Sequence, residues 1–427
     1  MNEQRFPTLW GQFFDETVPT YVKQRYSPNP KWRDKPFSLE DLNFYAKGVK
    51  ELSHLLRSDR HEVSQRQVAS YFEHPKNRSA YLLYFLNLQA AKFFTMFERH
   101  SDALSKAFDI ARSESRPFRV LDLGAGPGTA SIALLLWAQG KKNCPEFELT
   151  LVDQHMPVLD DAKALLSAGR TPAKDIRIIR SNCYDFRFDG VYDFSILGHL
   201  LNETETPLAR QAEYLSLVEN HTSGAGVLIV EPADKISSQN LGSLRNELLG
   251  VVRHHGDEGD QAPSLKRLWG PCMHEGTCPL SQSRDWCHFS FPAEIPGKWF
   301  RQFSERLGSK REWLKFSYLW IASAKLAPPM RPAHLRLVVS EIMRQHEQTP
   351  LVLLCEPDQT KRISLDVLKT KSFKIFRGDV VKYPDPNAPA DSRPRVPQKD
   401  RPAPRDREEK KTFRIKSKPP KKVKSRK

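Results

Sequence analysis

FRVLDLGAGPGTASIALLL, residues 118 to 136, passes from an apolar run through a glycine-rich turn straight into a second apolar stretch. Val120, Leu121 and Leu123 read as a buried strand, Gly124 to Gly128 as a turn, and the residues from Thr129 as a helix. Strand, turn and helix in that order are the opening unit of a doubly wound α/β domain, whose ligands bind outside the carboxyl ends of the strands. Glycine lets the main chain turn without a Cβ, so a ligand can approach the backbone closely. The glycines fall at 124, 126 and 128, whereas the dinucleotide fingerprint wants its third glycine at 129, where Thr129 stands.

The same alternation continues downstream. Apolar runs predict strands at 147–152, 176–180, 192–197 and 226–230, with helical patterns at 157–167 and 207–220 between them. Asp153 and Asp185 follow the second and third of the domain's strands, and Glu231 follows the last. Upstream, residues 1–117 read as a helical region. Ser38-Leu39-Glu40-Asp41 looks like a capped helix start, followed by Leu42, Tyr45, Val49, Leu52 and Leu56 at three- and four-residue spacing. A second helix, roughly 79–99, has an unusually wide apolar surface. Its Asn87, Gln89 and Lys92 mark it as buried rather than membrane-spanning.

Beyond Glu231 the rhythm breaks. A helical segment at 241–253 leads into an insertion spanning 233–312, then a helix at 298–307 and a strand at 316–322 close the core assigned to 118–325. A β-rich section covers 326–383. The final stretch, 384–427, holds sixteen Lys/Arg against six Asp/Glu, so it carries +10 of the chain's net +16, and nine of its 32 prolines. With almost no apolar residues it cannot build a core, and is expected to be a disordered arm that displaces counterions from nucleic-acid phosphates. It has no apolar face to insert into a membrane. A hydrophobic content of 39% and a mean hydropathy of -0.58 suit a soluble protein. The N-terminus has an early Glu and no apolar signal core, so a cytoplasmic, monomeric protein is expected, most simply bacterial.

Three of the six cysteines, Cys272, Cys278 and Cys287, fall within sixteen residues. In a reducing compartment such a group points to metal or catalysis rather than disulfides. The gaps fit neither common zinc ribbons nor bacterial ferredoxins. A fourth ligand is needed: Cys355 at the end of an apolar strand is the distant candidate, with His274 and His288 as competitors. Thiolates suit zinc or an iron–sulfur cluster, and spacing does not choose. A cluster would tie the insertion to the C-terminal section, two segments with little other hydrophobic reason to dock. Pro271-Cys272 also resembles the Pro-Cys nucleophile of cytosine-5 RNA methyltransferases, although it lies well beyond the fourth strand and among other cysteines.

The glycine spacing resembles the first motif of class I S-adenosylmethionine-dependent methyltransferases. That implies a Rossmann-like sheet with the cofactor's methionine end over Asp122, Gly124, Gly126 and Gly128. Asp153 would then accept the ribose hydroxyls and Asp185 would meet the adenine amino group. More specifically, VLDLGAGPGTAS, GVLIVEPA, PCMHEGTCPL with DWCHFS, and KFSYL resemble the methyltransferase-like family of the small ribosomal subunit, known best from mitochondrial ribosome assembly. LVVSEIMRQHEQTPLVLLCEPD and FRGDVV are similar more loosely, and the likeness covers roughly residues 80 to 382. The resemblance implies a [4Fe–4S] cluster on Cys272, Cys278, Cys287 and Cys355, and small-subunit ribosomal RNA as partner. It leaves a non-catalytic assembly factor as the alternative to an rRNA methyltransferase. The family's WGD is here Arg377-Gly378-Asp379, which removes an aromatic contact. No Asp/Asn-Pro-Pro-Tyr signature follows the fourth strand. His199 and Glu203 in GHLLNE are the candidate bases or RNA contacts, with buried or helix-capping roles as the other reading.

Overall fold

Five strands repeat the pattern that residues 118–136 set. β1 (Phe118–Leu123), β2 (Phe147–Asp153), β3 (Ala173–Arg180), β4 (Tyr192–Gly198) and β5 (Thr222–Glu231) run parallel. β8 (Trp313–Ala322) joins β5 antiparallel, and β6 (Arg267–Gly270) and β7 (Phe289–Pro292) each pair antiparallel with β8, giving the order β3-β2-β1-β4-β5-β8-β6 with β7 also paired to β8. The strand order reverses between β1 and β4, which opens a crevice at the carboxyl end of β1. This is the doubly wound α/β arrangement expected from the sequence. The computed structural model describes residues 6–56, 71–169, 171–203, 206–250, 267–292, 294–308, 313–322, 334–343, 350–357, 359–365, 368 and 375–383. The basic stretch 384–427 lies outside the described residues.

Side chains alternate along a strand, so β1 feeds two cores. Phe118 and Val120 join a large cluster with the N-terminal helices, while Leu121 and Leu123 face the helices Leu208–Asn220 and Lys235–Leu248. The N-terminal helices form as read. Ser38 caps the helix Leu39–Leu55 in a capping box with Asp41, and Leu42, Tyr45, Val49 and Leu52 are buried. The second helix is longer than its apolar pattern. It starts at Pro75 and runs to Arg99 through a π-helical turn at Tyr81–Phe85, whose side chains are all buried. No helix among the described residues is long and apolar enough to cross a membrane.

The region beyond Glu231 departs from the expected plain insertion. It contributes β6 and β7 to the main sheet, both held by β8. Short strands flanked by glycine, proline and cysteine carry too little period for sequence to show them. The C-terminal section forms its own antiparallel sheet, β9 (Leu335–Val338), β10 (Leu351–Glu356), β11 (Gln359–Ser364) and β12 (Val380–Lys382), in the order β11-β10-β9-β12. Val352 and Leu354 fill its core on one face. Cys355 therefore points from the other, toward the cysteine-rich loop. Contrary to expectation, this sheet has further reasons to dock there. Gly378 lies so close to the Phe289 ring that a Cβ there would collide with it, and the Gly378 carbonyl accepts from Arg99 Nη2 at 2.6 Å.

Candidate functional site

The carboxyl ends of β1 and β4 enclose a pocket whose walls include Gly124, Gly126, Asp153, His199, Phe72 and Tyr81. Gly124, Gly126 and Gly128 have φ of +66°, +52° and +74°, a left-handed backbone that side chains resist. A Cβ at Gly124 would meet Leu200 Cδ1 at 2.9 Å, so Leu200 already closes over that turn. At Gly126 a Cβ would reach only the Phe72 ring, at 3.6 Å. Phe72 is thus the opposite wall of a slot above Gly126.

Asp153 stands where expected, at the end of β2. Its carboxylate accepts from the Gly126 and His155 backbone N–H groups, each at 2.9 Å. Burial nevertheless raises its pKa above the usual carboxylate value. The two hydrogen bonds fix its orientation and leave lone pairs for a diol. Asp122 is fully enclosed beneath the turn, accepting from Ser131 Oγ at 2.7 Å and Ser131 N at 3.2 Å. His199 and Glu203 also line the pocket, and His199 has a positive φ of 56°. Asp185 does not line it. It is exposed at the end of a 3-10 turn, while Ser181, Asn182 and Cys183 of that segment face the pocket.

Burial pushes the Asp122 carboxyl from 3.8 up to about 7. The folded chain then holds a proton that the unfolded chain releases, so stability falls as pH rises through that window. One proton sets an upper limit of about 1.4 kcal/mol per pH unit. Asp122→Asn is expected to flatten the slope, read from urea-unfolding free energies across the window. An unchanged slope would assign the pH dependence to another group.

Sequence reading missed the far wall of the slot. Phe72 precedes the Pro75–Arg99 helix, and Arg78 on that helix holds it by donating from Nη1 to the Phe72 and Glu73 carbonyls at 2.7 and 2.9 Å. Arg78 is itself anchored beside Asp161, whose carboxylate accepts from Tyr21 and Tyr26 at 2.7 and 2.5 Å. These residues are spread over some 140 positions, and no local motif links them. Glu231 was legible only as a strand end. Its carboxylate accepts from the Leu201 and Asn202 backbone N–H groups at 3.0 and 3.3 Å, fixing the loop that carries His199.

Cys272, Cys278 and Cys355 are buried and Cys287 nearly so, and none is in a disulfide. Burial, then the neighbouring thiols, push Cys278, Cys287 and Cys355 above the ordinary thiol value. These residues come from two distant segments, 272–287 and the strand that carries Cys355. Cys144 lies apart, its Sγ 3.6 Å from the Pro145 carbonyl, and Cys183 belongs to the pocket. His274 Nε2 is 3.3 Å from Cys355 Sγ. Among the described residues, no three His, Cys, Asp or Glu converge on a single metal ion. Arg377, read from sequence only as a missing aromatic, braces the loop. Its Nη2 donates to Trp286 O at 2.7 Å and Asp285 Oδ1 at 3.0 Å.

Comparison with solved structures gives weak overall superpositions on methyltransferases. The S-adenosylmethionine-dependent methyltransferase of Agrobacterium tumefaciens is 20% identical, over 32% of this chain and 46% of that one, with a TM-score of 0.24. The glycopeptide N-methyltransferase MtfA with S-adenosylhomocysteine is 18% identical, over 30% and 49%, with a TM-score of 0.22. The plantazolicin methyltransferase BpumL is 14% identical, over 66% and 99%, with a TM-score of 0.31. The chain thus spans less than half the length of the first two. Comparison with curated proteins gives no match. The family described as mitochondrial small ribosomal subunit Rsm22, by contrast, matches residues 78–381, more than two thirds of the sequence, and the chain belongs to that family.

Proposed function

We propose that this chain is an S-adenosylmethionine-dependent methyltransferase-like protein acting on small-subunit ribosomal RNA, with a [4Fe–4S] cluster on Cys272, Cys278, Cys287 and Cys355. One observation carries the cofactor reading: the pocket at the carboxyl ends of β1 and β4, lined by Gly124, Gly126 and Asp153, with the Asp153 carboxylate oriented by the Gly126 N–H. S-adenosylmethionine would supply an electrophilic methyl group. The chain's part is to hold it, to exclude water with Phe72, Tyr81 and Leu200, and to present an RNA atom in line. Positioning of this kind supplies much of a transfer rate. The direction of ribosomal RNA comes from the family's description, which names the mitochondrial small ribosomal subunit.

The four thiols fit a soft-metal centre. A [4Fe–4S] cluster takes one thiolate per corner, which is the donor set these four residues offer. The cluster would supply a rigid bridge between the loop and the C-terminal sheet, with zinc as the alternative occupant. The function is tested with radiolabelled S-adenosylmethionine and small subunits from a strain lacking the protein. Transfer to the RNA supports the enzyme; binding of cofactor and subunit without transfer identifies an assembly factor on the same fold.

The basic stretch gives a separate prediction. With sixteen Lys/Arg in 384–427, deletion of that stretch is expected to weaken RNA binding and reduce its salt dependence. Circular dichroism should report an unchanged core. An unaltered salt slope would remove the stretch from the RNA interface.

A further inference from the structure

Arg245 lies on the helix Lys235–Leu248 and is 2% exposed, among the most enclosed large side chains of the protein. Its two terminal nitrogens are used on neutral acceptors, while the buried Nε has no hydrogen-bond partner among the described residues. Nη1 donates to Asn246 Oδ1 and Gly276 O, and Nη2 to His274 O, each at 2.8 Å. Among the described residues no carboxylate lies within ion-pair distance of it. A guanidinium does not deprotonate in proteins, and an uncompensated buried charge is strongly destabilising. The carbonyls it holds, His274 and Gly276, lie in the short stretch between Cys272 and Cys278. Burial opposes its charge, yet Cys272, Cys278 and Cys355 more than offset that penalty.

The helix is built to reach this position. Gly242, one turn before Arg245, lies against the loop, where a Cβ would stand 3.4 Å from Cys278 Sγ and 3.3 Å from Ser281. Asn246 Oδ1, besides accepting from Arg245, accepts from the Cys278 backbone N–H at 2.9 Å. On the far side, a Cβ at Gly276 would come within 2.8 Å of Pro357, two residues past Cys355. The Arg245–Asn246 pair therefore joins the methyltransferase-like core to the loop that carries three of the thiols, and that loop in turn lies against Pro357, just past the strand that carries the fourth.

We propose that Arg245 is the resident counter-charge of a four-thiolate centre, neutralising part of its net negative charge from the core side. This rests on the thiolate reading proposed above and deepens it. A fixed cation facing four neutral thiols would be an unrepaid cost, whereas the same cation facing a net anionic centre is paired. Arg377 differs in kind: it stands near Cys287 but already has Asp285 as its partner. Arg245 has only the sulfurs. It is a positioning residue, and its effect falls on the charge balance of the centre. Net charge is one of the levers on a cluster's potential.

The test uses full-length wild type, Arg245→Lys and Arg245→Gln, purified anaerobically. Iron, acid-labile sulfide, chelator-driven loss and midpoint potential under dithionite titration are measured. Arg245→Lys should retain the cluster at nearly the wild-type potential. Arg245→Gln should lose it about 10-fold faster or more. Any cluster that Arg245→Gln keeps should have a more negative potential, because the reduced, more negative state has lost its cation. Wild-type retention and potential in Arg245→Gln would overturn the proposal. Equal loss in both variants would also overturn it, showing that the fork to His274 and Gly276 matters and the charge does not. Wild type holding one zinc keeps the proposal testable through the same ranking of chelator loss. Wild type that is metal-free would instead sink the thiolate reading itself.

Discussion

Cys355→Ser protein purified anaerobically is expected to be colourless, where the wild type should be brown with about four iron and about four sulfide per chain. The reason lies in strand geometry. β10 sends Val352 and Leu354 into the small core and Cys355 out of the opposite face, among sulfurs that come from residues 272 to 287. No neighbouring residue on the strand can replace it without turning the alternation over. Cys144→Ser and Cys183→Ser should keep full iron, because neither sulfur is in that group. A centre that binds only the folded state adds its binding free energy to stability, so its loss should raise hydrogen exchange across β9 to β12. The sheet should loosen rather than detach, because Arg377 and Gly378 still hold it to the loop and to Phe289. A colourless wild type with one tightly held zinc would replace the cluster and keep the ligands. A wild type that is stable and metal-free would remove both.

Gly126→Val is expected to weaken S-adenosylmethionine binding by about 100-fold or more, some 2.7 kcal/mol. Two effects add. The branched side chain would project toward Phe72 and fill space in the pocket that both residues line. A β-branched residue is also strained at a φ of +52°. The second effect would tilt the Asp153 hydrogen bond at Gly126 N as well. Thermal unfolding separates the causes: Gly126→Ala carries most of the strain and little of the bulk, so it should bind better than Gly126→Val at similar stability. Equal, wild-type affinity in both would remove the glycine turn from the cofactor site.

What could be read before the fold was seen is what short stretches encode. Strand, glycine turn and helix at 118–136 are local, and so are the alternating strands up to Glu231 and the capping box at Ser38. The grouping of Cys272, Cys278 and Cys287 is local too, whereas Cys355 stands only as a distant candidate beside His274 and His288. The slot's far wall was not legible: Phe72 acquires its place through Arg78, Asp161, Tyr21 and Tyr26, a network closed only by tertiary contact. Nothing local in the sequence marks Arg245; its burial and its bonds to the His274 and Gly276 carbonyls arise from tertiary contact. β6 and β7 escaped notice because four-residue strands have too little period to stand out.

Calorimetric titration of S-adenosylmethionine into the full-length wild-type protein tests the central claim most directly. The expected result is saturable binding at about one site per chain, displaced by S-adenosylhomocysteine, as a single preformed pocket at the carboxyl ends of the strands requires. Folded wild-type protein that takes up neither ligand would contradict it.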